Sequence, residues 1–116
     1  MNELMRLRKN EEFQLVFKQG KSFANRQFVV YVLKNAERKY SRLGLSVSKK
    51  MGNAVMRNRI KRLIKEIFRE LGDRLEAGND YIVISRKPVR TMEYSDMKDS
   101  LEHVLKKAGV LKGRRC

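Results

Sequence analysis

The chain has 116 residues, of which 41% are hydrophobic, so it is long enough for one globular domain with a thin core and is not disordered. Its 28 Lys and Arg residues against 13 Asp and Glu give a net charge of +15 and a pI near 10.4, which favours a polyanionic partner, above all nucleic acid. No apolar run is long enough to span a membrane. An anionic membrane surface is a weaker alternative, because membrane-binding basic helices carry aromatic anchors and the chain has no Trp.

The cysteine content and the first residues favour a cytoplasmic protein. The only cysteine is Cys116, the last residue, so an internal disulfide or a thiolate metal cluster is excluded. The first ten residues lack the apolar core of a signal peptide. The chain has one proline, Pro88, and no linker or repeat, so residues 1–116 are expected to form a single domain.

A helix and a strand are the first predicted elements. Asn10 is a good N-cap, Glu11 and Glu12 follow it near the positive end of the helix dipole, and Gly20 marks the C-terminal stop. The run QFVVYVLK, residues 27–34, is β-branched and aromatic and predicts a strand. Both faces of this strand are apolar, so we expect both to be covered.

The run RLGLSVSKK, residues 42–50, predicts a second strand with two different faces. One face carries large apolar side chains: Leu43, Leu45 and Val47. The other face is small and polar: Gly44, Ser46 and Ser48. Lys49 and Lys50 stand at the end of the strand. The small face leaves room for a ligand, although an ordinary solvent-facing strand explains the pattern equally well.

The main helix is expected to begin near Asn53 or Ala54 and to end near Leu71, with Gly72 as C-cap. Its apolar residues form one stripe, which is expected to dock on the sheet: Ile60, Leu63, Ile64, Ile67, Phe68 and Leu71. Most of its other residues are polar or basic: Arg57, Asn58, Arg59, Lys61, Arg62, Lys65 and Arg69. Like charges at i,i+4 repel, so this imbalance favours contact with phosphates over a solvated charged face.

A third strand and a last helix complete the prediction. DYIVISRK, about residues 80–87, predicts the strand, which Pro88 ends. The last helix is expected from Ser95, as N-cap, to Gly109. Strand, long helix and strand form a βαβ-sized unit, so the second and third strands are expected to be parallel. The expected architecture is α+β, with one sheet and helices mostly on one face.

Two aromatic residues of the first helix leave alternatives open. Phe13 and Phe17 share a stripe with Val16, for which core packing is the default interpretation. The alternative is that the two rings are platforms on which unpaired bases stack. No catalytic residue and no metal site are predicted, because the only histidine, His103, falls on the polar face of the last helix and no nucleophile–base pair is recognisable.

SVSKKMGNAVMRNRIKRLIKE, residues 46–66, resembles the signature of the bacterial ribonuclease P protein component, whose centre is an Arg-Asn-Arg helix. Here that triplet is Arg57-Asn58-Arg59, preceded by the Lys-Lys-x-Gly-x-Ala-Val pattern that starts at Lys49. The order of elements fits over the whole length. One departure is Lys65, where Arg is common in the family. A charge-only phosphate contact survives that change, but a bidentate one does not.

The resemblance implies the protein cofactor of the ribonucleoprotein ribonuclease P, which removes the 5′ leader of precursor tRNA in the cytoplasm. Hydrolysis would be RNA-catalysed, with Mg2+ bound mainly by the RNA subunit and the substrate. The residues implied to bind the catalytic RNA are Arg57, Asn58, Arg59, Lys61, Arg62, Lys65 and Arg69. A cleft between the first helix and the open sheet face would hold the single-stranded leader, with Phe13, Phe17, Tyr31, Ser46, Ser48, Lys49 and Lys50.

The family fold implied is an α/β sandwich of about four strands and three helices in the order α-β-β-β-α-β-α, with a left-handed βαβ crossover against the usual rule. Two alternatives remain from the residues alone. One is a structural RNA-binding protein of the ribosome, which has no need of an aromatic-lined cleft. The other is a DNA-binding module, disfavoured because the chain has no compact helix-turn-helix or dimer motif. The expected partners are therefore the catalytic RNA and the leader, with no membrane, no DNA and no obligate protein partner.

Overall fold

The computed structural model describes residues 4–112, and Cys116 lies outside them. Within them the helices and strands follow one another as β1 (Leu4–Arg6), α1 (Asn10–Gln19), β2 (Lys21–Ala24), β3 (Phe28–Lys34), β4 (Ser41–Ser46), α2 (Ala54–Leu71), β5 (Asn79–Ser85) and α3 (Tyr94–Lys107). Short 3-10 turns follow three of these elements, at Lys49–Met51, Gly72–Arg74 and Lys87–Thr91.

The strands form one mixed sheet in the order β1-β4-β5-β3-β2. β4 lies parallel to β5, with Leu43 opposite Tyr81 and Leu45 opposite Val83, so the predicted parallel pairing across the main helix is confirmed. β1 is also parallel to β4, whereas β3 is antiparallel to both β5 and β2. The predicted α+β class with three helices is thereby confirmed.

The sheet has five strands rather than about four. The residue patterns predicted neither edge strand, β1 or β2. The order of elements implied by the family resemblance includes β2 but not β1. β1 has three residues and β2 has four, and most of their side chains are exposed, so neither shows a clear apolar alternation. Edge strands of this kind form because a neighbouring strand offers its backbone groups, which a single sequence segment does not reveal.

The main helix begins and ends where it was predicted. Asn53 caps α2, since its Oδ1 accepts a hydrogen bond from the N–H of Met56 at 2.9 Å. At the other end Gly72 adopts φ +49°, a left-handed conformation that favours glycine, and its N–H donates to the carbonyl of Phe68.

Predicted boundaries of three other elements are wrong by a few residues. β5 ends at Ser85 and not near residue 87. β4 ends at Ser46 rather than at residue 50, because the Ser48 Oγ accepts a hydrogen bond from the Lys50 N–H at 3.0 Å and starts a 3-10 turn. α3 begins at Tyr94 and not after Ser95, because the Met97 N–H already donates to the carbonyl of Glu93.

The start of α1 also differs from the prediction. Lys9, and not Asn10, is the capping residue, and its carbonyl accepts the first helical hydrogen bond, from the Phe13 N–H at 3.1 Å. The Glu12 carboxylate accepts a hydrogen bond from the Lys9 N–H, also at 3.1 Å. An acid in the first turn therefore satisfies one of the free N–H groups at this end.

The sheet is covered heavily on one face and lightly on the other. α2 and α3 pack on the first face, and all six residues of the predicted α2 stripe are buried there: Ile60, Leu63, Ile64, Ile67, Phe68 and Leu71. On the second face α1 buries a small cluster of Leu7, Val16 and Ile82. Because ten residues of helix cannot cover five strands, part of the second face stays open.

Candidate nucleic-acid interface

The polar surface of α2 carries positive charge that carboxylates do not balance. Of the predicted residues, three are exposed, namely Asn58, Arg62 and Arg69, and four are partly exposed, namely Arg57, Arg59, Lys61 and Lys65. Among the ion pairs of residues 4–112, none involves these side chains. Burial lowers the pKa of Lys65, and the neighbouring charges of Arg6 and Lys61 lower it further. This face is therefore suited to a polyanion.

Aromatic side chains form a wall along α1 on the lightly covered face. Phe17 stands edge-on to Tyr31 of β3, with ring centroids 4.9 Å apart and an interplanar angle of 86°. Phe13 lies one turn earlier, with its ring centroid 6.3 Å from that of Phe17. Phe17 is 37% exposed, so part of its ring remains accessible to a ligand.

Gly44 allows Phe13 to lie directly on the sheet. A Cβ at Gly44 would stand 2.6 Å from the Cζ of Phe13, which is closer than any real carbon contact. The strand register places Gly44 beside Ile82, and Ile82 beside Tyr31. The sequence suggested that the small face of this strand leaves room for a ligand. At Gly44 that room is filled by the protein's own Phe13 ring.

The part of this face that α1 leaves open is the next row, and we refer to this row and the aromatic wall together as the cleft beside α1. Ser46 of β4, Ile84 of β5 and Val29 of β3 lie side by side in the register, and all three are partly exposed. Ser46 thus lies where the sequence predicted it. Ser48 does not continue the row, because the strand has ended and its hydroxyl caps the 3-10 turn. Ile84 and Val29 were missed, since apolar residues in a strand were assigned to the core.

Cations gather where β4 and β5 end. Lys49 and Lys50 are exposed in the 3-10 turn after β4, and this turn contacts the one that follows β5. The second turn brings Arg86, Lys87 and Arg90 to the same end of the sheet, all exposed. Sequence reasoning missed these three. The signal that identifies them is the parallel pairing, because the carboxyl ends of parallel strands meet at one edge.

An ion-pair network fixes α1 across the sheet. Arg42 donates from Nε and Nη2 to the two carboxylate oxygens of Asp80, at 2.8 and 2.7 Å, and from Nη1 to Glu12 of α1. Arg38 donates to the same Asp80. Burial of Asp80 opposes its ionisation, but the hydrogen bonds from the two arginines outweigh it and hold its pKa below the ordinary value.

A family model described as Ribonuclease P matches residues 1–109. The chain belongs to the ribonuclease P protein family. The Ribonuclease P protein component of Bacillus cereus is 56% identical over 110 residues, which cover 95% of this chain and 96% of that protein. That of Listeria innocua is 56% identical over 112 residues, which cover 97% of this chain and 94% of that protein.

Solved structures of the ribonuclease P family agree with this fold. The RNase P protein of Staphylococcus aureus superposes with a TM-score of 0.86 at 50% identity, over 92% of this chain and 97% of that one. The RNase P protein of Thermotoga maritima gives a TM-score of 0.81 at 40% identity, over 88% and 96%. The resemblance in the α2 signature is thereby confirmed, and the protein is a component of ribonuclease P, a ribonucleoprotein of tRNA processing.

Three further observations concern residues 4–112 of this ribonuclease P protein. Among residues 4–112, no three His, Cys, Asp or Glu side chains lie together in a way that could hold a metal ion. His103 is exposed on α3, as its position in the sequence predicted. Over the same residues, no helix has the length and apolarity needed to cross a membrane.

Proposed function

We propose that the protein is the cofactor that binds both the catalytic RNA of ribonuclease P and the 5′ leader of precursor tRNA, and so promotes removal of the leader in the cytoplasm. The observation that carries the proposal is the presence of two different surfaces on one small sheet. One is the cationic face of α2, and the other is the aromatic-walled cleft beside α1.

The α2 face supports binding to the catalytic RNA. Its cations, among them Arg57 and Arg59 on either side of the neutral Asn58, have no competing carboxylate partner in the described chain, so phosphates can replace water and counterions around them. Each cation that neutralises a phosphate lowers the amount of salt or Mg2+ that a compact RNA needs. The expected effect on the holoenzyme is activity at a lower Mg2+ concentration.

The cleft beside α1 supports binding to the single-stranded leader. Phe17 and Tyr31 present ring surface on which unpaired bases can stack. The small side chain of Ser46 leaves room above the sheet. Lys49 and Lys50 lie at the end of the cleft, where they can contact the phosphates of the leader. Arg86 and Lys87 add charge at the same end. Mature tRNA has no leader to occupy the cleft, so binding there favours precursor over product.

The hydrolytic step belongs, in this proposal, to the RNA subunit with Mg2+ held mainly by the RNA and the substrate. The described side chains do not offer a carboxylate or histidine cluster for a metal of the protein's own, so no step is assigned to such a site. The contribution of the protein is to bind and orient the substrate through its cations and aromatic rings.

The proposal is tested by following cleavage of precursor tRNA by purified catalytic RNA at low Mg2+, with and without the protein. We expect the protein to stimulate cleavage of a substrate with a leader of several nucleotides more than cleavage of one with a single-nucleotide leader. Absence of stimulation at every Mg2+ and salt concentration would overturn the proposal.

A further inference from the structure

A cavity of about 300 Å³ lies between the β1 segment and α2, outside the cleft described above. Its rim carries four cations, Arg6 and Arg8 from the β1 side and Lys61 and Lys65 from α2. Its floor is apolar and is formed by Leu7, Phe13, Leu43 and Leu45. A smaller hollow of about 180 Å³ adjoins the cavity and reaches Arg69 of α2.

The cavity exists because β1 is shorter than β4. Backbone pairing between the two strands ends at Leu43, whose carbonyl accepts a hydrogen bond from the Leu7 N–H at 3.0 Å. The chain then turns away into α1, so Leu45 has no strand neighbour on that side. This leaves an opening at the sheet edge, with the cationic row of α2 above it.

The rim is positively charged and its cations are not paired with acids. Arg6 and Arg8 are exposed, and within residues 4–112 no carboxylate forms an ion pair with either of them or with the two lysines. Burial and the nearby charges of Arg6 and Lys61 lower the pKa of Lys65. Four like charges around one concavity repel one another, and a bound anion relieves that repulsion.

We propose that this cavity takes one unpaired nucleotide of the catalytic RNA, with its phosphate among the rim cations and its base on the apolar floor. A helical segment presents phosphates with its bases stacked inside, and free phosphate leaves the floor uncovered, so only an unpaired nucleotide matches both parts. Arg6 supplies a planar fork for the phosphate, which Lys65 on the opposite wall cannot supply. The identity of the ligand as catalytic RNA rests on the proposed function.

The position of the cavity distinguishes it from the leader cleft. Phe13 lies on Gly44 and lines the cavity, whereas its neighbour Phe17 and Tyr31 do not line it. One wall of the cavity belongs to α2, whose cations form the surface proposed for the catalytic RNA.

A first test measures binding of small ligands to the full chain by amide NMR, using UMP, ribose 5-phosphate and inorganic phosphate. UMP is expected to bind about tenfold more tightly than ribose 5-phosphate because its base covers the floor. Shifts should centre on Leu7, Leu43 and Leu45. Equal affinity for the two ligands, or shifts centred on Tyr31, would overturn the proposal.

A second test measures binding of the catalytic RNA to Arg6→Ala, Arg8→Ala and a matched control, Lys106→Ala, an exposed cation of α3 at the opposite sheet edge. Each rim variant is expected to lose about fivefold to tenfold in affinity and to reduce the salt dependence, by about 0.7 in the slope of log K against log salt. The control should bind as the wild type does.

The outcomes of the second test separate the two proposals. If wild-type protein does not bind the catalytic RNA, the proposed function fails. If it does bind and Arg6→Ala and Arg8→Ala bind equally well, the cavity proposal alone fails. If those variants lose only the preference for precursor over mature tRNA, the ligand is the leader and the assignment to catalytic RNA is wrong.

Discussion

Arg42 joins three parts of the chain that are distant in sequence. Its guanidinium holds both oxygens of Asp80 on β5 and reaches Glu12 on α1, and Asp80 is only 2% exposed. Removing one partner from a buried charge pair leaves the other without compensation, which costs more than the pair itself contributes. Asp80→Asn is therefore expected to lower the free energy of unfolding by about 2–3 kcal/mol. Urea denaturation at pH 7 measures this, with the exposed Glu37→Gln as control.

The same pair gives stability a defined pH dependence. The pKa of Asp80 is lower in the folded protein than its ordinary value near 3.9, so its contribution is complete above that value and is lost as the pH falls through the folded pKa. Wild-type stability attributable to the pair should be constant from pH 7 to 5 and fall below about pH 4. The Asp80→Asn variant should show a shallower fall. Parallel curves for the two proteins would show that Asp80 is not responsible.

A single substitution, Arg59→Ala, tests whether the α2 surface binds the catalytic RNA. Arg59 is partly exposed and is not one of the buried residues of the α2 stripe, so its replacement by Ala should leave the fold unaffected. Affinity for the catalytic RNA is expected to fall about tenfold, with a smaller salt slope, as measured by filter binding at several salt concentrations. Unchanged affinity together with an unchanged slope would remove Arg59 from the interface.

For single residues, the sequence predicts which side of a helix a residue lies on, but not which distant residue it contacts. The α2 stripe and its cationic remainder follow from a repeat of 3.6 residues, which any segment shows by itself. The Arg42–Asp80 pair depends on the register between β4 and β5, and the short β1 that brings Arg6 towards Lys65 depends on sheet order. Such contacts belong to the tertiary structure.

At the scale of elements, the packing of α1 on β4 depends on a residue without a side chain. Gly44→Ala would push Phe13 away from the strand and is expected to destabilise the protein by about 1 kcal/mol, because the ring can move only partly. Phe13→Leu in the same chain should restore most of this loss by making room. Urea midpoints of the two single variants and the double variant measure the coupling. Additive losses would contradict direct contact.

The elements predicted from sequence were those with a strong local pattern. α2, β3 and β5 carry long apolar runs or stripes, whereas β1 and β2 are short and largely exposed. The premature end of β4 also escaped prediction, because Ser48 continues the alternation while its hydroxyl caps a turn. The cleft beside α1 was also not predictable in full, because its row of Ser46, Ile84 and Val29 comes from three strands.

At the scale of the whole molecule, the net charge of +15 opposes folding of the free protein through self-repulsion. Raising NaCl from 50 to 500 mM should therefore raise the free energy of unfolding by about 1 kcal/mol or more, because the Debye length shortens from above 10 Å to a few ångströms. Chemical denaturation by urea, which adds no charge, measures this effect. Stability that is independent of salt would mean that the cations are too far apart to interact.

The proposed function requires one protein to bind the catalytic RNA with α2 and the leader with the cleft beside α1. The most direct measurement is the affinity of the reconstituted holoenzyme for precursor tRNA and for mature tRNA, with wild-type protein and with Phe17→Ala. We predict that Phe17→Ala weakens binding of the precursor by about fivefold to tenfold, as expected for one lost stacking contact, and leaves binding of mature tRNA and of the catalytic RNA unchanged. Equal losses for precursor and mature tRNA would show that Phe17 does not contact the leader.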